Sequence, residues 1–125
     1  MTLFEVTSAN ITSLDQMRLT DLLGRLLHVE AKATHIPLGN LSVSMNIDAP
    51  DGGEDGRISW QGGPNSTDFL PNRLTLFQCK ATKMDRASCK NEVLIKKKRQ
   101  SDPSRLKPQV KDVLDLGGAY VLFCS

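Results

Sequence analysis

Near the carboxyl end, Ala119-Tyr120-Val121-Leu122-Phe123-Cys124 runs apolar without interruption. A strand with one wet face alternates polar and apolar residues; a run without alternation reads as a strand covered on both faces, the habit of sheets in α/β chains. Before it, Arg105 to Leu116 reads as a helix turning Leu106, Val110, Val113 and Leu114 inward, with Pro108 tolerated in the first turn and Gly117-Gly118 ending it. The run is thus expected to be a central strand. With no covering element after it, it predicts that these residues are the amino-terminal part of a longer protein.

Upstream, Ser13 to Ala31 has helical period: Leu19, Leu22, Leu23, Leu26 and Leu27 form one apolar stripe, and Ser13-Leu14-Asp15-Gln16 has the form of a capping box. Glu30 continues that stripe. A carboxylate there costs several kcal/mol if it is buried without a partner, so Glu30 is either turned to solvent at the helix end or aimed into a polar site. From Leu41 to Ile47 the period changes to two, as in a strand with one buried face. A turn dense in carboxylates follows, Asp48 to Gly56, and then a short strand, Arg57 to Trp60. Gln61 to Asn72 reads as a loop. In the next strand, Arg73 to Ala81, Leu74, Leu76, Gln78 and Lys80 share one face, and Lys80 on that face wants an anionic partner. Asn91 to Lys98 is open between a helical turn and a strand, anchored by Val93, Leu94 and Ile95.

A chain of 125 residues is one domain at roughly 100–200 residues per domain. No apolar run approaches the roughly 20 residues of a membrane span, and Met1 to Glu5 does not resemble a signal peptide, so the chain reads as soluble and cytoplasmic. Cys79, Cys89 and Cys124 lack Cys-x-x-Cys spacing and His28 and His35 pair with none of them, which argues against zinc or a disulfide framework. They read as reduced thiols packed as small hydrophobes.

The net charge of +2 is unevenly spread: residues 1–79 carry −4, residues 80–107 carry +7 and residues 108–125 carry −1. The basic block, centred on Lys96-Lys97-Lys98-Arg99, is either a solvated loop or a surface for a polyanion. Were the strands of Asp55 and Gln78 neighbours, Asp55, Gln78, Lys80 and Glu30 would converge on one sheet edge. Oxygens of Glu30, Asp55, Gln78 and the Cys79 backbone carbonyl then suit a hard cation such as Mg²⁺, beside a lysine able to orient water or steady a phosphate. Such parts hydrolyse phosphodiesters.

Asp51-Gly52-Gly53-Glu54-Asp55-Gly56, followed one strand later by Phe77-Gln78-Cys79-Lys80, resembles the active-site signature of the PD-(D/E)XK nucleases, in particular the Mrr-like restriction endonuclease branch. The resemblance covers residues 13–125 and implies an α/β, restriction-endonuclease-like αβββαβ core, a central mixed sheet flanked by helices. It makes Asp55 the metal-binding aspartate, Gln78 the variant second ligand and Lys80 the catalytic lysine, with Glu30 as the first-helix glutamate by position. The cofactor it implies is Mg²⁺ or Mn²⁺ and the substrate DNA, held by Lys83, Lys96, Lys97, Lys98 and Arg99. Glu54 stands where the family's turn has an apolar residue; it reads as pointing to solvent, or as an extra ligand. The long gap between Asp55 and Gln78 requires the loop over 61–72 to bulge outward.

The function so implied is a metal-dependent DNA endonuclease, an amino-terminal effector of prokaryotic restriction or anti-phage defence. It would act as a homodimer or higher oligomer, fused to or associated with a regulatory ATPase or sensor. No Gly-x-x-x-x-Gly-Lys-Ser/Thr occurs, so nucleotide-driven control would lie elsewhere. Two other readings stand beside it. Gln78 in place of a carboxylate suits an inactive nuclease-fold module for nucleic-acid binding or self-association, and an unrelated α/β domain would have Asp55 and Lys80 as a structural ion pair.

Overall fold

Leucine at every fourth position decides how the longest helix lies. The computed structural model describes residues 5–37, 41–43 and 55–125. Its elements are α1 (Ser8–Thr12), α2 (Gln16–Ala33), β1 (Leu41–Val43), β2 (Gly56–Ser59), β3 (Leu74–Lys80), α3 (Arg86–Val93), α4 (Pro108–Asp115) and β4 (Ala119–Cys124). In α2, Leu19, Leu23, Leu27 and Ala31 are buried. This is a narrower stripe than the sequence implies: Leu22 is half-buried and Leu26 is 49% exposed. The first turn also differs from the expected capping box. Asp15, not Ser13, is the N-cap, its Oδ1 accepting the Arg18 N–H at 2.8 Å. Ser13 instead closes the short helix α1, its hydroxyl donating to the Asn10 carbonyl at 2.9 Å. Gln16 is thereby free to reach elsewhere.

The four strands form one sheet in the order β1-β2-β3-β4; β1-β2 and β2-β3 are antiparallel and β3-β4 is parallel. The chain is therefore mixed α/β, with helices against the sheet. Leu19, Leu23, Leu27, Ala31 and Ile36 pack with Ile58, Trp60, Leu70, Phe77 and Cys79 into a single cluster, to which Val121 and Phe123 add from β4. By strand alternation Leu74, Leu76, Gln78 and Lys80 face the other way. There α4 brings Val110 and Val113, and Val113 and Leu74 meet at Gly118. Leu114 is 45% exposed, contrary to its expected inward position, and Leu106 is only half-buried. β3, buried from Thr75 to Cys79, is the strand covered on both faces.

β4 does not take the central place expected of it. Among the described residues it is an edge strand paired to β3 alone, and its first five residues are half-buried. Of the strand expected over Leu41–Ile47 the structure describes Leu41–Val43; the remainder, and Asp51 and Glu54 in the acidic turn, lie outside the described residues. The loop before β3 sends Leu70 into the core at 1% exposure and leaves Phe69 at 77%. The open segment at 91–98 resolves into two parts. Asn91–Val93 end α3, Leu94 makes an antiparallel bridge to Leu106, and Lys96–Lys98 follow in irregular backbone. No described helix is long and apolar enough to cross a membrane.

Candidate active site at the end of the third strand

Just ahead of β2, side chains join the backbone in pairing with β3. The Asp55 N–H still donates to the Phe77 carbonyl at 2.8 Å. One step on, the Cys79 N–H donates to Asp55 Oδ2 at 2.7 Å. The next two groups go to α2: Gln16 Nε2 donates to the Cys79 carbonyl at 2.6 Å, and Gln16 Oε1 accepts the Ala81 N–H at 3.0 Å. A carboxylate and an amide thus finish what a strand would otherwise do, because buried backbone groups must find partners. Asp55 is consequently fixed at 8% exposure beside the register position of Gln78.

On the face of β3 turned away from α2, Gln78 and Lys80 project together as the alternation predicts. Gln78 Nε2 donates to Glu92 Oε2 at 3.0 Å, and its Oε1 accepts the hydroxyl of Tyr120 from β4. Lys80 Nζ lies 3.2 Å from Glu92 Oε1. The anionic partner that Lys80 requires is therefore Glu92 of α3, not the Asp55 of a structural ion pair. One carboxylate bridges both side chains, with Lys80 and Glu92 only 32% and 21% exposed.

The structure brings Asp55, Gln78, the Cys79 backbone and Lys80 to one strand end, and leaves Glu30 out. Glu30 is fourteen positions beyond Gln16 on α2, a rise of about 21 Å, far outside side-chain reach. It sits half-exposed near the helix end, where its carbonyl accepts the Thr34 N–H and hydroxyl at 3.0 and 2.7 Å. Helical periodicity placed it on the stripe but could not say which end of the helix meets the sheet edge. The residue that α2 does supply is Gln16, which the capping-box pattern assigns to local use.

Glu92 and Tyr120 also escape a reading of the sequence by motif, although both leave a trace. Of the three acidic residues in the basic block, Asp85 caps α3 and Asp102 accepts the Arg99 N–H in a tight turn. Glu92 is the remaining one, set directly before the apolar Val93-Leu94-Ile95. Tyr120 carries the one side-chain hydroxyl in the run Ala119–Cys124, and a half-buried phenol seeks a partner.

The donors at this edge are hard oxygens, which suit Mg²⁺ or Mn²⁺ rather than a soft metal. Those of Asp55, Gln78 and Cys79 each accept a protein hydrogen bond, and an amide or carbonyl oxygen such as those of Gln78 and Cys79 has a second lone pair. No group of three His, Cys, Asp or Glu able to hold a metal occurs among the described residues, so Gln78 and the Cys79 carbonyl would have to complete the set. The α2 side of β3 is apolar by contrast, and burial there pushes the Cys79 thiol up to about 11.

The cationic residues of the expected DNA-binding set flank α3. Lys83 is exposed between β3 and α3, and Lys96, Lys97, Lys98 and Arg99 are exposed between α3 and α4. The Ile95 N–H donates to the Arg105 carbonyl and the Lys107 N–H to that of Val93, at 2.8 and 2.9 Å, so the basic loop hangs from a two-stranded stem. A groove of about 860 Å³ runs along it, lined by Lys90, Asn91, Leu94, Ile95, Lys96, Lys97, Ser104 and Lys107. The groove wall and the site share α3: Lys90 and Asn91 line the one, Glu92 belongs to the other. No family model, curated protein or solved structure matches the chain, so what this edge can do follows from its own geometry.

Proposed function

We propose that the chain is a metal-dependent DNA endonuclease of the PD-(D/E)XK type, acting in the cytoplasm as an effector of prokaryotic restriction or anti-phage defence. The observation that carries this reading is the convergence of Asp55, Gln78 and Lys80 at the adjoining ends of two antiparallel strands. Support also comes from the element order, a long helix, three antiparallel strands, helices and a parallel fourth strand, which is that of an αβββαβ core.

Asp55, Gln78 and the Cys79 carbonyl are the groups that would hold Mg²⁺ or Mn²⁺. Such an ion, when bound, polarises the scissile phosphate and acidifies a coordinated water. Lys80 reaches the same edge with its ammonium, placed to hydrogen-bond a phosphate oxygen or to orient the attacking water. Tyr120 and Glu92 fix the Gln78 amide by bonding its oxygen and its nitrogen. Gln16 fixes the strand backbone beneath. The basic loop and Lys83 supply the sequence-independent hold on the DNA backbone. A single site cuts one strand, so duplex cleavage calls for two copies in opposed orientation, most simply an isologous dimer. A regulatory ATPase or sensor, fused or associated, would control it.

A second reading, a nuclease-fold module that binds nucleic acid or self-associates without cutting, is favoured by one observation: Gln78 brings no charge and its oxygen is taken by Tyr120. Plasmid cleavage in Mg²⁺ or Mn²⁺ separates the two. The enzyme is expected to nick supercoiled DNA, with Asp55→Ala and Lys80→Ala each losing about 10²-fold or more while keeping a native circular-dichroism spectrum. Undiminished cleavage by Lys80→Ala would sink the mechanism, and retained DNA affinity without metal-dependent cleavage would establish the second reading.

A further inference from the structure

Gln78 leaves the site one negative charge short of a two-carboxylate metal centre, and the side chain bonded to its amide nitrogen is itself a carboxylate. We infer that Glu92 supplies that missing charge, reaching from α3 to act as the second anionic ligand of the divalent cation; the inference rests on the metal-dependent reading above.

Four features point this way. Asp55 binds the backbone of the residue after Gln78, and Glu92 binds the Gln78 side chain, so the two carboxylates bracket a single strand position. Each Glu92 oxygen accepts one donor, Oε2 from Gln78 and Oε1 from Lys80, and an ionised carboxylate has about four acceptor sites, so two remain for a cation. Glu92 also stands where a helix least favours an anion, in the last turn of α3, a site usually given to cations. Finally, α3 buries no residue of its own. Its half-buried residues, Ser88, Cys89 and Val93, anchor it only in part, and the two contacts of Glu92 tie its last turn to this edge. The Gln78 amide nitrogen orients that carboxylate while its oxygen stays on the side of the metal ligands, and Lys80 keeps its partner until a phosphate arrives to share it.

The test is Mn²⁺ binding by calorimetry on the full chain, without DNA, for wild type, Glu92→Gln and the exchange Gln78→Glu/Glu92→Gln. The exchange returns the charge to the strand and leaves an amide on the helix, so every hydrogen bond of the cluster can re-form. Wild type should bind Mn²⁺, Glu92→Gln should bind it roughly tenfold or more weakly, and the exchange should recover most of that loss, as affinity follows the charge of the ligand set. A folded Glu92→Gln that binds Mn²⁺ as wild type does would overturn the inference and leave the nuclease reading intact. If Glu92→Gln fails to fold, the exchange variant decides: it must bind Mn²⁺ nearly as wild type does, and failure to do so while folded overturns the inference. Wild type that binds no Mn²⁺ overturns both.

Discussion

Cys79 is 1% exposed, with its thiol on the α2 side of the sheet and its backbone in the candidate site. Burial raises the thiol from its ordinary 9.0 to about 11; the Asp55 charge adds to the shift and a hydrogen bond with Thr20 opposes it. The native state therefore keeps a proton that the unfolded chain has already lost. The stabilisation is complete below pH 9.0 and declines as pH rises toward about 11. Urea midpoints of the wild type should thus fall between those pH values more steeply than those of Cys79→Ala, and parallel curves would show that the thiol is not protected. All three cysteines are free thiols, but only Cys79 is packed like a small hydrophobe; Cys89 is half-buried and Cys124 exposed. Spacing along the chain bears on metal and disulfide chemistry, yet it says nothing about depth.

Elements are positioned here by a few close approaches more than by propensity. The turn from α4 to β4 passes so near β3 that a Cβ on Gly118 would stand 2.7 Å from the Leu74 carbonyl oxygen and 2.8 Å from Val113 Cγ2. Backbone cannot yield as a flexible side chain does, so Gly118→Ala is expected to destabilise by about 1–3 kcal/mol, the range of overpacked cores. The urea midpoint should drop with an unchanged m-value; an unaltered midpoint would mean that the turn has slack. The preceding Gly117 has φ +78°, the left-handed conformation that ends helices. Both glycines could be read as a stop, but only the fold shows that the second one is a packing requirement. α3 shows the converse. Its Asp85 cap accepts the Ser88 N–H at 2.7 Å, which holds the Asp85 carboxyl below its ordinary value. Without an apolar stripe, however, nothing in Arg86–Val93 announces a helix by period.

Across the whole molecule the charge blocks meet only at the strand end, where Asp55 of the acidic part and Lys80 of the basic one stand together, while the run Lys96–Arg99 is displayed on an exposed loop beside its groove. If that loop carries the DNA backbone, replacing Lys96, Lys97 and Lys98 together by Gln should flatten the dependence of log K on log salt by about 0.9 for each phosphate that is no longer neutralised. Cleavage chemistry at saturating DNA should persist. A slope unchanged by the triple variant would move the DNA-binding surface elsewhere. The groove is contiguous with α3, so a polyanion seated there lies against the helix that carries Glu92.

Periods of 2 and 3.6 are local properties of a chain, and they were enough to establish the α/β class, most strand and helix locations, and the pairing of Gln78 with Lys80 on one face. They were enough as well to show that Lys80 needs an anion. Which anion was settled by the docking of α3, where Glu92 meets Lys80, and no local period records that docking. The same holds for the exchange of Glu30 for Gln16 at the sheet edge: periodicity gives the face of α2, and its packing against β3 gives the direction in which it runs. It holds too for β4, whose apolar run made it a strand but whose place at the edge, among the described residues, was set by which neighbours the sheet admitted. Backbone and side-chain pairing within a few residues is written in composition and spacing; long-range pairing is a choice among partners of similar chemistry, made by the packing of the whole.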